Sequence, residues 1–338
     1  MKTFKLRGII FTAAGLVAFA ITSLAPVSAA TTAKSVTQPI GSANGMKVSP
    51  LRSDVTLAPG TSGKVAVTIT NLTKSTAILQ PIENDFIASG ENGAPALVLD
   101  ANSYAPSHSL KRFMVPLSNI TVAAGQEQTV SVTITVPKTA QAGGYFGALR
   151  FAPANLGGAA ASGASVGESV ASLILLTVPG PTVEQLALTN FDVQQNGGTA
   201  TNFRTPDNLS LLLRFQNKGN LQEAPFGQIN VQKGKKVLYT YNFNQQDPRS
   251  EILPDSARRW NVPLKSLGKF GKYTISGTFG YGTKGQTIEI TKTVWIVPTV
   301  IIASIAGGVV LLVIIIGGLY MFLRSYKRKI LRSSRRRY

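Results

Sequence analysis

Between Lys292 and Arg324 the chain carries no charged side chain. The run from Val294 to Leu323 reads VWIVPTVIIASIAGGVVLLVIIIGGLYMFL, with Thr293 before it. A helix needs about 20 apolar residues to cross a bilayer core of roughly 30 Å. Counted from Pro298 the run supplies about 26, enough to cross with some tilt. Pro298 suits a first helical turn, where its missing N–H costs nothing. Trp295 at one end and Tyr320 and Phe322 at the other stand where amphipathic rings favour the headgroup layer. The buried helix of a soluble protein would carry a polar stripe, which this run lacks. The sequence therefore predicts a membrane-spanning helix over residues 297–323.

The chain has 338 residues and a formal net charge of +19. Such a balance can mark a nucleic-acid partner, but its placement argues otherwise. Arg324, Lys327, Arg328, Lys329, Arg332, Arg335, Arg336 and Arg337 follow the apolar run, and Lys2, Lys5 and Arg7 open the chain. More than half of the excess thus lies in two segments that read as topology signals, and no nucleic-acid partner is expected. Residues 1–30 have a charged start, an apolar stretch Gly8–Leu24, and small residues at Val27-Ser28-Ala29 or Ser28-Ala29-Ala30, the parts of a cleaved export signal. Export at one end and a single span at the other predict a single-pass protein of the cell membrane. By the positive-inside rule its basic tail, 324–338, is cytoplasmic and its middle lies outside, with membrane lipid as one partner.

Residues 31–45 are polar and read as a disordered leader. From Met46 the pattern turns to strands. Lys64–Thr70 and Thr129–Thr135 both read V-x-V-T-I-T after one residue, alternating apolar and polar at period two. Ser53–Gly60 before the first is answered by Ser118–Gly125 before the second, each ending in a turn glycine able to take positive φ. Two similar hairpins in facing sheets of one sandwich are expected. Glu83–Phe113 is the least regular part, with the turn cluster Ser89–Pro95. Ala142–Phe151 reads as a strand entered through glycines. Ala154–Gly167 is a Gly/Ala/Ser-rich loop, read as lying within the first domain or, alternatively, as the linker. Ser169–Val178 then pairs back on Tyr145–Phe151 as the last strand of the first domain.

The order P-G turn, V-x-V-T-I-T-N, irregular middle, V-x-V-T-I-T-V-P, then A-G-G-Y-F-G-A-L-R-F resembles the N-terminal domain of the WxL-interacting proteins of Gram-positive bacteria. Those proteins also end in a second sandwich, one span and a short basic tail. The resemblance implies a cell-surface role, with the first domain associated with peptidoglycan and the second with protein partners.

After the stiff joint Pro179-Gly180-Pro181, strands recur with turn signals every ten residues or so, the spacing of a second sandwich. They are expected at Leu186–Val193, Leu209–Phe215, Gly227–Val231, Val237–Phe243, Ser256–Val262, Gly271–Phe279 and Thr287–Ile296. Tyr273, just after a glycine, resembles the tyrosine corner of Ig-like folds. The fold class expected is mainly β: two Ig-like β-sandwich domains over 46–181 and 182–296, one C-terminal transmembrane helix, and a cleaved N-terminal signal peptide.

No catalytic centre or cofactor is expected. A nucleophilic triad needs a base, usually His, and the chain has one histidine, His108, and no cysteine. Zinc sites take three or four ligands, for which His108 has no sequence neighbours. The chain is read as a non-enzymatic, membrane-anchored surface protein that binds an envelope polymer such as peptidoglycan, or a surface protein. The alternative is a chaperone-like accessory of an export or surface-assembly system, whose sheet edge pairs with a client strand. For ligand binding the candidates are Tyr104 for stacking and Lys111 and Arg112 for anionic groups; an ordinary solvated loop would look the same. In the span, Ala303/Gly307 and Ser304/Gly308 are small residues four apart, and Gly318 returns to the Gly307 face. They predict close helix packing and a homodimer, though glycine is also simply common in spans.

Overall fold

The computed structural model describes residues 42–43, 45–154 and 169–334. The expected export signal lies outside them, as do most of the leader and nearly all of the Ala154–Gly167 stretch. The first half holds β1 (Ser42–Ala43), β2 (Met46–Ser49), β3 (Arg52–Thr56), β4 (Ser62–Asn71), β5 (Ala77–Ser89), β6 (Ala94–Leu97), β7 (Ile120–Val122), β8 (Glu127–Thr135), β9 (Gly143–Pro153) and β10 (Val170–Val178). One sheet has the order β1-β2-β4-β8; the other runs β3-β10-β9-β5-β6, with β7 beside β5. Their inner faces make one apolar core, in which Val67, Ile69, Val132, Ile134, Leu149, Ile174 and Leu176 are fully buried.

Three readings of the first half need correction. The similar segments do not lie in facing sheets: β4 and β8 are antiparallel neighbours in one sheet, with Val65 opposite Val132 and Val67 opposite Val130. Two copies of V-x-V-T-I-T pair well this way because β-branched residues meet β-branched residues on the buried face. The strands leading into each turn, β3 and β7, belong to the other sheet. Each copy therefore crosses from one layer to the other through a turn whose glycine, Gly60 or Gly125, has φ of 79° or 68°. In the expected leader, Ser42 and Ala43 pair with Lys47 and Met46. The expected irregular region begins as strand, since β5 continues to Ser89.

The second half holds β11 (Leu186–Gln195), β12 (Gly198–Thr199), β13 (Asn202–Phe203), β14 (Leu209–Asn217), β15 (Phe226–Lys233), β16 (Lys236–Phe243), β17 (Ala257–Pro263), β18 (Gly271–Tyr281) and β19 (Gln286–Ile296). Its sheets run β12-β11-β14-β17 and β13-β19-β18-β15-β16. Their core is aromatic: Phe215, Phe243 and Phe279 are buried, and Phe215 meets Phe279 edge to face at 5.2 Å, a favoured quadrupole geometry. Tyr273 is buried, and its hydroxyl accepts from the Gly268 N–H (2.9 Å) and donates to the Phe270 carbonyl (3.3 Å). That is the tyrosine corner, tying the loop before β18 to its own strand.

Two residues after β19, α1 (Thr299–Ser334) begins. Its segment Thr299–Lys327 is long and apolar enough to cross a membrane and is not buried against the sandwiches. The helix continues beyond Leu323, where the span was expected to end, into the basic tail.

Candidate functional site: the cleft between the sandwiches

The outer face of the β3-β10-β9-β5-β6 sheet is apolar where it meets the second sandwich. Phe86 on β5, Phe146 on β9 and Leu175 on β10 form a small buried cluster, with Leu97, Leu173 and Leu253 packed around it. These strands are apolar on both faces, which is why β9 and β10 read as continuous rather than alternating runs.

Polar contacts hold the two halves in place. At the tip of the β5–β6 hairpin the Glu91 carboxylate accepts from Arg214 Nε (2.8 Å) and pairs with Arg259 Nη2 (2.8 Å). The hydrogen bond from Arg214 holds the Glu91 carboxyl below its usual range. The Arg259 N–H donates to the Glu91 carbonyl at 2.7 Å. Arg52 on β3 donates to Glu251 at 2.9 Å, and the Gly144 N–H donates to the Asn220 carbonyl at 2.8 Å. In the same hairpin Gly93 has φ of 77°, and any Cβ there would collide with the Arg258 guanidinium. Glycine is what lets that cation lie flat against the turn.

Between these contacts lies a cavity of about 170 Å³. Phe86, Leu173, Leu175, Ile252 and Leu253 give it apolar walls, and Arg52, Glu251 and Arg258 line it too. Burial pulls the Arg258 guanidinium below its ordinary range, and its buried Nε finds no acceptor among the described residues. A cavity of roughly 150 Å³ lined by such residues holds a benzene ring, so this one has room for one aromatic or aliphatic side chain, with a donor waiting beside it.

The cleft also has a free strand edge. Among the described residues β3 ends its sheet and pairs only with β10, in parallel, from Arg52 opposite Leu173 to Thr56 opposite Thr177. The Leu51 carbonyl and the Leu57 N–H bond toward β10. By the alternation of a ladder, the backbone groups of Arg52, Asp54 and Thr56 point outward and have no ladder partner among the described residues.

The structure brings together the residues expected to bind a ligand. The Arg112 guanidinium lies 4.3 Å from the Tyr104 ring centre and Lys111 Nζ 5.1 Å from it. Lys111 Nζ also donates to the Ala101 and Ser103 carbonyls, at 2.6 and 3.0 Å. Ring face and charges are thus largely engaged with one another. Arg112 lines a second cavity of about 320 Å³, which His108, Tyr145 and Asn220 share. His108 has φ of 58°, and its Nδ1 lies 2.6 Å from the Gly144 carbonyl oxygen. Ser304, Gly307, Gly308 and Gly318 all lie on α1 and are exposed; no atom outside their own helical turns comes within 4 Å of a Cβ built on the three glycines. The cleft and the β3 edge had no motif to announce them; the signal that could have found them is the doubly apolar character of β9 and β10.

No family model and no curated protein matches the chain. Among solved structures it is similar to the class 5 fimbriae chaperone CfaA, at 12% identity over 73% of this chain and 98% of that one, with a TM-score of 0.39. It is also similar to the E. coli chaperone DraB, at 13% identity over 72% and 97%, TM-score 0.31, and to the YadV chaperone, at 12% over 74% and 100%, TM-score 0.32. At such values no residue role transfers from them. The resemblance to WxL-interacting proteins is corrected: no model of that or any family matches the chain. The physical reason is that a glycine-closed turn followed by V-x-V-x-I suits any half-buried strand, so the motif reports a sandwich rather than a family.

Proposed function

We propose that this protein is a non-enzymatic, membrane-anchored accessory of surface assembly that holds a client protein by adding one of the client's strands to its own sheet. The observation that carries the reading is the outer edge of β3, unpaired among the described residues, beside the apolar interdomain cavity. Strand addition draws affinity from main-chain hydrogen bonds and specificity from pockets for alternate side chains. A client strand on β3 would receive the outward groups of Arg52, Asp54 and Thr56. It would offer one apolar side chain to the cavity and a carbonyl to Arg258 Nε. Exposed edges invite aggregation unless they are covered, which favours a natural partner there.

The wall-polymer reading is the weaker of the two, because its stacking ring and cations engage one another. The apolar α1 and the basic residues after it support a single-pass placement with the sandwiches outside the cell. The test is photo-crosslinking from a reactive residue introduced at Asp54, in the full chain on cells that make it. Crosslinks to protein, with slowed amide exchange at Asp54 and Thr56 in the complex, are expected. Crosslinks to wall glycan alone would reject the client reading.

A further inference from the structure

The two ends of the second sandwich differ in charge. Its far-end loops, 182–185, 218–225, 244–256 and 282–285, hold five acids and three cations. The end from which the helix leaves is the opposite. There Gly271 pairs with Ile296, Lys272 with Trp295 and Asn202 with Trp295, so the β15–β16 turn and the loop before β18 lie beside the last residues of β19. Lys233 Nζ, donating to the Phe270 carbonyl at 3.1 Å, ties that turn to that loop. Counting Lys272, these two loops and the 204–208 loop that follows β13 hold seven cations against one acid, Asp207.

Apolar rings are exposed among those charges: Phe270 is 52% exposed and Trp295 43%. Lys272 Nζ stands 5.9 Å from the Trp295 ring centre. Only Val297 and Pro298 separate β19 from α1, and two extended residues span at most roughly 7 Å. That is about the depth of one headgroup layer, and the Debye length in physiological salt is of the same order.

We propose that this end of the second sandwich docks on the anionic lipid headgroups of the membrane that the helix crosses. Lys233, Lys235, Lys236, Lys269 and Lys272 take the phosphates, and Phe270 enters the interface. Basic residues beside a membrane are attracted to anionic lipid individually and additively, and aromatic rings prefer the interfacial layer. Docking fixes how the sandwiches stand on the bilayer and so presents the cleft at a set height. The inference rests on reading α1 as a membrane span.

The test is lysine acylation read by mass spectrometry on the full chain in lipid discs, of phosphatidylcholine alone or with a third phosphatidylglycerol. With phosphatidylglycerol the five lysines should react on the order of fivefold more slowly, recovering in high salt, while Lys64 and Lys284 stay unchanged. Equal reactivity in both lipids overturns docking and leaves the span reading intact. A chain that does not float with either disc overturns the span reading and docking with it. Slowing by added poly(glycerol phosphate) in phosphatidylcholine discs, with none from phosphatidylglycerol, assigns the patch to a soluble polyanion and overturns lipid docking.

Discussion

Asn71 in the first sandwich and Asn217 in the second stand at the same place, the last residue of a long central strand, and both are fully buried. Asn71 donates to the Ser75 and Val122 carbonyls and accepts from the Thr73 N–H. Asn217 donates to the Leu221 and Ile252 carbonyls and accepts from the Gly219 N–H. In each, a side-chain amide closes the strand end by bonding two and four residues on and once across the sandwich. The surfaces then diverge. The first sandwich covers part of a sheet face with apolar contacts to its neighbour, whereas the second separates charge between its ends. The shared device follows from the need to satisfy buried backbone groups; the differences follow from what each surface faces.

The largest effect that would break the comparison is loss of either amide. Asn71→Leu and Asn217→Leu should each destabilise the chain by roughly 3 kcal/mol, since three backbone partners lose their bond, at least one of them fully buried in each case. Urea unfolding measures this, and a cost confined to one position would show that the two devices are not equivalent.

Both sandwiches bury an acid, Asp85 in the first and Glu223 in the second, and Glu223 sharpens the comparison. Burial, and then the charge of Glu184, push its carboxyl up to about 7. The folded chain therefore holds a proton that the unfolded chain releases at the ordinary glutamate value. This contribution is full below that value and falls away as pH rises toward 7. Glu223→Gln should flatten this slope and raise stability at pH 8 by about 1–2 kcal/mol. Thermal unfolding across pH 4–8 checks it, and parallel slopes for both chains would refute it.

Glu91 is shifted the other way. Its pairing contributes above the ordinary glutamate range and is lost as pH falls through the lowered value. Glu91→Ala should cost about 1 kcal/mol and let the hairpin tip part from Arg214 and Arg259, seen as faster exchange of the Arg259 amide. The smallest effect belongs to Tyr104→Ala, which removes a ring from under Arg112 and Lys111 at a cost of about 0.5–1 kcal/mol. A cost above that would mean the loop supports the first core.

Periodicity found most strands of the second sandwich, and the uncharged run after Lys292 marked the apolar span. Residue type singled out Tyr104, Lys111 and Arg112, but not that they face one another. Periodicity misassigned the sheet of β4 and β8, since alternation says which face of a strand is buried and nothing about its neighbour. Tyr273 was legible because its corner lies within a few residues.

What the residues dictated unaided was therefore local: alternating strands, glycine turns and a run too apolar for water. These depend on contacts within a few positions along the chain. Tertiary structure decided the rest. The β3 edge, the cavity under Phe86 and Leu253, and the gathering of Lys233, Lys269 and Lys272 beside the helix all join residues distant in sequence. Such juxtapositions depend on which strands pair, and pairing is a property of the whole sheet.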